Sequence, residues 1–207
     1  YREPGLSPDG SRVAITRLDE GTGDIYIYDI DRNNFSQFTF TSDAECCPVW
    51  SADGERVLFS SMRNGTPNLY IKNADGTGEV DRVTESDGTH TGVGWSSDGE
   101  TLVLIEGGDI HTAAFGTETA STPLFETVFS EDRASLSPDG RWIAYESDED
   151  GDFDVYVRPF PDVEDGKWKV SAQGGTHPVW SPDGNELFFF SGNTMMAAPI
   201  RREPAFN

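Results

Sequence analysis

Five side chains in this 207-residue chain offer thiol or imidazole chemistry: Cys46, Cys47, His90, His111 and His177. His90 and His177 each follow a threonine and shortly precede a tryptophan, so they hold matching places and invite a metal reading. Tight transition-metal sites gather about three or four ligands, and no closer histidine pair with ligand spacing occurs. Both are therefore read as polar loop residues, and no metal or cofactor is expected. Cys46 and Cys47 are adjacent and have no other cysteine to join. A disulfide between neighbours needs a strained ring, so the pair reads as two small residues entering a strand. The run Asp148-Glu149-Asp150-Gly151-Asp152-Phe153-Asp154 sets alternate carboxylates about a glycine, a pattern that suits calcium and its oxygen ligands. It lacks the distal glutamate of a helix-loop-helix calcium loop, and its flanks favour an acidic hairpin tip. No Gly-x-Ser-x-Gly elbow and no phosphate-cradling glycine loop occurs. No catalytic constellation stands out, and an enzyme is not expected.

The elements that must position these groups come from a repeat. Ser7-Pro8-Asp9-Gly10 returns as Ser51-Ala52-Asp53-Gly54, Ser96-Ser97-Asp98-Gly99, Ser137-Pro138-Asp139-Gly140 and Ser181-Pro182-Asp183-Gly184, with glycines 44, 45, 41 and 44 residues apart. The tetrapeptide is a turn: aspartate bonds nearby amides and glycine accepts the left-handed conformation that closes a bulged hairpin. A strand follows each turn, at 12–16, 56–60, 101–105, 142–146 and 186–190. Several of these are apolar at consecutive positions, as in Val57-Leu58-Phe59, which predicts cover on both faces.

A second element follows: Asp24-Ile25-Tyr26-Ile27, Asn68-Leu69-Tyr70-Ile71, Asp109-Ile110-His111-Thr112, Asp154-Val155-Tyr156-Val157 and, more loosely, Asn193-Thr194-Met195-Met196. His111 fills the tyrosine slot and reads as a strand residue. Fourth strands are expected at 36–41, 81–85, 123–129 and 168–172, and Glu203-Pro204-Ala205-Phe206 is the candidate for the last. Four short antiparallel strands in about 44 residues make one propeller blade. The expected fold is an all-β propeller of about five four-stranded blades in one domain, with modules near 1–41, 42–86, 87–129, 130–173 and 174–207.

The apolar-Ser-Pro-Asp-Gly core with its two following strands resembles the TolB-type, WD-repeat-like propeller repeat over nearly the whole chain. From Arg141 onward, Arg141-Trp142-Ile143-Ala144-Tyr145-Glu146-Ser147 and Val155-Tyr156-Val157-Arg158-Pro159-Phe160-Pro161 are similar to propellers fused behind bacterial serine/threonine kinase domains. The resemblance implies a larger, six-bladed parent, and either an extracytoplasmic sensor domain or a periplasmic interaction module. Prolyl oligopeptidase-like peptidases and metal-assisted polysaccharide lyases carry related propellers and supply the alternative readings. The chain has no initiator methionine and its first ten residues lack a secretory pattern, so it reads as a fragment or processed product.

In such blades the Ser-Pro-Asp-Gly turns occupy one rim. Blade-to-blade crossings, at 42–47, 86–90, 130–133 and 174–177, occupy the other, beside the central channel. The ligand-contact candidates there are Glu45, Cys46, Cys47, Asp87, His90, Arg133 and His177. Thirty-seven acidic against 15 basic residues give a net charge of −22, which repels nucleic acid and anionic membrane. No run of 18 apolar residues is present to span a bilayer. The expected partner is a protein, a peptide or a small ligand, with self-association if the ring does not close within one chain.

Overall fold

In a computed structural model, residues 2–19, 22–116, 120–125 and 127–200 are described. They form five antiparallel sheets in chain order. The first holds β1 (Arg2–Leu6), β2 (Arg12–Asp19), β3 (Thr22–Asp29) and β4 (Asn34–Gln37). The second holds β5 (Glu45–Trp50), β6 (Arg56–Ser61), β7 (Asn68–Asn73) and β8 (Asp81–Arg82). The third holds β9 (His90–Trp95), β10 (Thr101–Glu106), β11 (Asp109–Ala114) and β12 (Thr122–Pro123). The fourth holds β13 (Glu131–Leu136), β14 (Trp142–Ser147), β15 (Asp154–Pro159) and β16 (Trp168–Lys169). The fifth holds β17 (Thr176–Trp180), β18 (Glu186–Ser191) and β19 (Thr194–Pro199). The proposed last outer strand, Glu203–Phe206, lies outside the described residues. The first strands β1, β5, β9, β13 and β17 pack on one another from sheet to sheet and so converge toward the axis.

The repeated tetrapeptide closes each blade's first hairpin as a self-satisfied unit. Ser51 Oγ donates to Asp53 and accepts the Arg56 amide at 2.9 Å, Asp53 accepts the Glu55 amide at 2.9 Å, and Gly54 takes φ +70°. The same bonds recur at Ser7, Ser96, Ser137 and Ser181. The serine hydroxyl, then the amides and side chains of Ser11 and Asn185, hold the Asp9 and Asp183 carboxyls down at about 2. Carboxyl NMR should therefore find both still ionised at about pH 3, below the ordinary value near 3.9. Folded values below unfolded ones mean that the turns contribute fully above about pH 4 and lose that contribution as pH falls through about 2. Ser181→Ala should return Asp183 toward the ordinary range; an unmoved titration would remove the hydroxyl as the cause.

The middle strands are covered on both faces, as their consecutive apolar residues require. Val57 and Phe59 meet Ala14, Ile25 and Ile27 of the first blade, while Leu58 packs with Trp95, Leu102 and Leu104 of the third. Ile143 and Tyr145 meet Val103 and Ile110, and Ala144 meets Trp180, Leu187 and Phe189. Tryptophans pin neighbouring blades: Trp50 Nε1 donates to Gly5 O at 2.9 Å and Trp180 Nε1 to Ser135 O at 3.0 Å.

The fourth strands are shorter than the sequence suggests. Thr39, Thr84 and Ser171 hydroxyls each accept a third-strand amide, of Ile25, Leu69 and Val155, at 2.9 Å. A side chain thus takes the donor that a continuing ladder would use, and pairing stops. At the ends of the array the apolar cover is incomplete. Val179, Phe190 and Met195 are 57%, 43% and 68% exposed, as is Leu6 at 54%. Among the described residues, no packing comparable to the other blade contacts joins the fifth sheet to the first.

Candidate functional site

Every first strand carries a bulge, where its register with the second strand slips. In four of the five the bulge holds a non-glycine residue in left-handed conformation: Glu3 (φ 52°), Cys47 (φ 60°), Arg133 (φ 46°) and His177 (φ 56°). Each stands four residues before its turn serine, and in the third blade Gly92 occupies that place. Side chains with Cβ seldom adopt this conformation, and a bulge breaks the alternation that sends neighbouring side chains to opposite faces. The result, in four of the five blades, is an off-ladder side chain on the strand nearest the axis; in the third, Gly92 pairs with Leu104 and the slip falls at Val93.

Two of the amides freed by these bulges are answered from the preceding blade. Cys47 N–H donates to Thr16 Oγ1 and Glu3 Oε2, each at 3.2 Å, and His177 N–H donates to Glu146 Oε2 at 2.9 Å. Arg133 N–H donates to Asp132 Oδ1 at 2.7 Å, and Ser60 Oγ reaches His90 O at 2.8 Å. Thr16, Ser60 and Glu146 all stand six residues after their turn glycine. One position of β2, β6 and β14 therefore ties down the following blade's first strand.

The structure parts the seven sequence candidates into two groups and a remainder. The crossings predicted as loops run into the opening residues of β5, β9, β13 and β17. Cys46, Cys47, Arg133 and His177 lie at the bulges; the cysteines are half-buried and the other two exposed. Glu45 and His90 open their strands two places earlier and are enclosed, at 1% and 3% exposure. Glu45 accepts from Arg63 and from Thr41 Oγ1 at 3.0 Å. His90 Nε2 lies 3.2 Å from Glu106 Oε2, which Ser121 and His111 Nδ1 (3.4 Å) also approach. Both are only partly paired: Glu45 Oε2 and the two His90 ring nitrogens are buried without a well-aligned hydrogen bond among the described residues. Asp87 is exposed between β8 and β9, beside a depression of about 410 Å³ lined by Asn64, Asn68 and Arg82.

Electrostatics differ between the groups. Burial pushes the Glu146 carboxyl up, against the His177 amide it accepts, and Arg133 Nε stands 3.6 Å away. Burial, then the Arg133 charge, holds the His177 imidazole down and favours its neutral form. At the second bulge the Cys46 thiol is lowered by its hydrogen bond with Cys47, whose own thiol is pushed far up by that bond and by burial. Three carboxylates of the acidic run at 148–154 pair with lysines: Lys169 holds Asp150 and Asp154 at 2.7 Å, and Lys167 holds Glu149. Sequence reasoning missed Glu3, Glu106 and Glu146. For Glu3 the available signal was the count of four back from Ser7.

Residues 2–158 match the profile of the TolB beta propeller domain family. No curated protein sequence matches significantly. The fold is similar to TolB from Acinetobacter baumannii, with TM-score 0.74 and 21% identity over 99% of this chain and 55% of that one. It is similar to the Cps50 (Swd1) β-propeller domain of Myceliophteria thermophila, with TM-score 0.69 and 13% identity over 98% of this chain and 66% of that one. A prolyl endopeptidase structure gives TM-score 0.64 and 14% identity, over 99% of this chain and 35% of that one. The chain thus spans about half the length of the TolB protein it resembles.

Proposed function

The chain belongs to the TolB beta propeller domain family, and from that premise we propose that it is a non-catalytic recognition module that binds a protein or peptide at the axial end of its bulge-bearing rim. The observation that carries the reading is the bulge line itself. Four equivalent left-handed bulge places carry glutamate, cysteine, arginine and histidine. Packing residues at equivalent places repeat their chemistry, as the turn serines do. Places that vary in charge and size while the backbone stays fixed are suited to recognition.

The recurring serines are ill-placed as nucleophiles, since each is buried and bonded to its own turn aspartate. Likeness to a prolyl endopeptidase is a likeness of architecture at 14% identity. The kinase-fusion resemblance of residues 141–161 adds a setting to the reading: a sensor or scaffold part of a longer protein, with the partner on the side the bulges face.

Selection of peptides against the purified chain, followed by alanine at Glu3, Arg133 and His177 singly, tests this. At least one change is expected to weaken the selected peptide by roughly 30-fold, the mark of an interface hot spot worth about 2 kcal/mol, while Asp98→Asn on the opposite rim changes binding less than about twofold. Equal losses from both rims, or none from the bulge positions, would set the reading aside.

A further inference from the structure

We propose that Glu3, Cys46 and Cys47 form a binding site for a thiophilic divalent cation, zinc being the natural occupant, on the seam between the first two blades. One ligand atom from each of the three lies within 4.8 Å of the other two. Both thiols are free and half-buried, and the carboxylate is exposed.

The backbone explains why neighbouring cysteines converge. In a regular strand consecutive side chains point to opposite faces, and the two sulfurs would diverge. Cys47 sits in the left-handed bulge, between the paired residues Cys46 and Val49, and this breaks the alternation. Glu3 occupies the equivalent bulge of the preceding blade. Its Oε2 is steadied by Thr16 Oγ1 and the Cys47 amide, each at 3.2 Å. Two bulges on adjacent first strands thus bring one carboxylate to two sulfurs. Arg133 and His177 hold the equivalent bulge places farther along the chain, and among the described residues no such set arises there.

The donor set selects the ion. Two thiolates and one carboxylate suit zinc or cadmium and are a poor match to magnesium or calcium, which take oxygen ligands. Zinc bonds of about 2.0–2.3 Å in tetrahedral geometry hold ligands roughly 3.3–3.8 Å apart. Ligand atoms that now lie within 4.8 Å of one another draw about 1 Å closer to close the set. Three protein ligands leave a fourth position for water or an incoming group. Each metal–sulfur bond forms as a thiol proton passes to solvent, so loading releases protons and weakens in acid. The site stands whether or not the rim binds a partner, because its probe is the metal alone.

The reduced, metal-free chain is titrated with cadmium and zinc in excess calcium, which occupies the exposed carboxylates. One cadmium per chain should bind with a thiolate-to-metal charge-transfer band, and zinc should displace it. Cys46→Ser and Cys47→Ser should each diminish the band and weaken zinc by more than about tenfold, and Glu3→Gln should weaken zinc while keeping the band. On the unmodified chain, zinc but not calcium should protect both thiols from alkylation, a measurement that needs no variant to fold. Cadmium bound without the band, alkylation indifferent to zinc, or zinc affinity unchanged in the doubly substituted Cys46→Ser, Cys47→Ser chain would each overturn the site. Unchanged zinc affinity in Glu3→Gln would overturn the three-ligand assignment.

Discussion

Replacing Arg63 with alanine is expected to destabilise the protein by about 3–5 kcal/mol, the usual cost of stranding a buried charge. The Glu45 carboxylate has no exposed side-chain surface, and the Arg63 guanidinium beside it is 19% exposed. Thr41 and Ser61 hydroxyls approach Glu45 Oε1 at 3.0 and 3.4 Å, while Oε2 is buried with no hydrogen-bond partner among the described residues. The guanidinium also lies over a pair of stacked rings, a contact that a lysine would use poorly. Its Cζ stands 4.5 Å from the Tyr70 ring centroid and 5.5 Å from that of Phe59. Removing both charges as Arg63→Met with Glu45→Gln should recover most of the loss, because the pair must first repay its own desolvation. Equilibrium denaturation with urea measures both. A single-variant cost below about 1 kcal/mol would mean that water reaches the carboxylate.

Phe59→Ala is expected to cost about 3–5 kcal/mol, the range for truncating a fully buried aromatic. Its ring has no exposed surface, meets Phe38 edge-on at 6.4 Å and stacks on Tyr70 at 6.3 Å. It faces Ala14, Ile25 and Ile27, so the cavity would open on the seam between the first two blades. In a repeat array each unit is held by its neighbours, and the damage should therefore be regional. Hydrogen exchange in β1–β4 should accelerate more than in β13–β16; uniform acceleration would contradict neighbour-by-neighbour stabilisation. Phe190→Ala is the control. That ring is 43% exposed on the far face of the fifth blade, and its loss should cost less than about 1.5 kcal/mol. Arg63 lies over Phe59, so these two large effects should not add.

Turns and middle strands were legible in the sequence because their determinants are local. Ser-x-Asp-Gly satisfies its own hydrogen bonds, and Val57-Leu58-Phe59 needs two apolar surroundings wherever it lies. The first strands were harder. Glu45 and His90 look like loop residues because charged or polar partners are remote in sequence: Arg63 for Glu45, Glu106 for His90. The outer strands read too long because nothing local marks the point where the Thr39, Thr84 or Ser171 hydroxyl replaces the ladder. Cys47, Arg133 and His177 were singled out from their place near the crossings. Their left-handed backbone was not, since glycine is the residue that normally announces it. Glu3 shares no residue type with its counterparts, and Thr16 and Glu146 reveal their tie only across a blade boundary.

The bulge line has an evolutionary consequence. Each of its four side chains is contributed by a separate module and stands off the ladder, while the Cys47 and His177 amides are met from the preceding blade. A codon change there rewrites one letter of the surface without redrafting the scaffold, and a duplicated module brings one more letter. Selection can in this way permute preference at the pore while folding stays nearly silent.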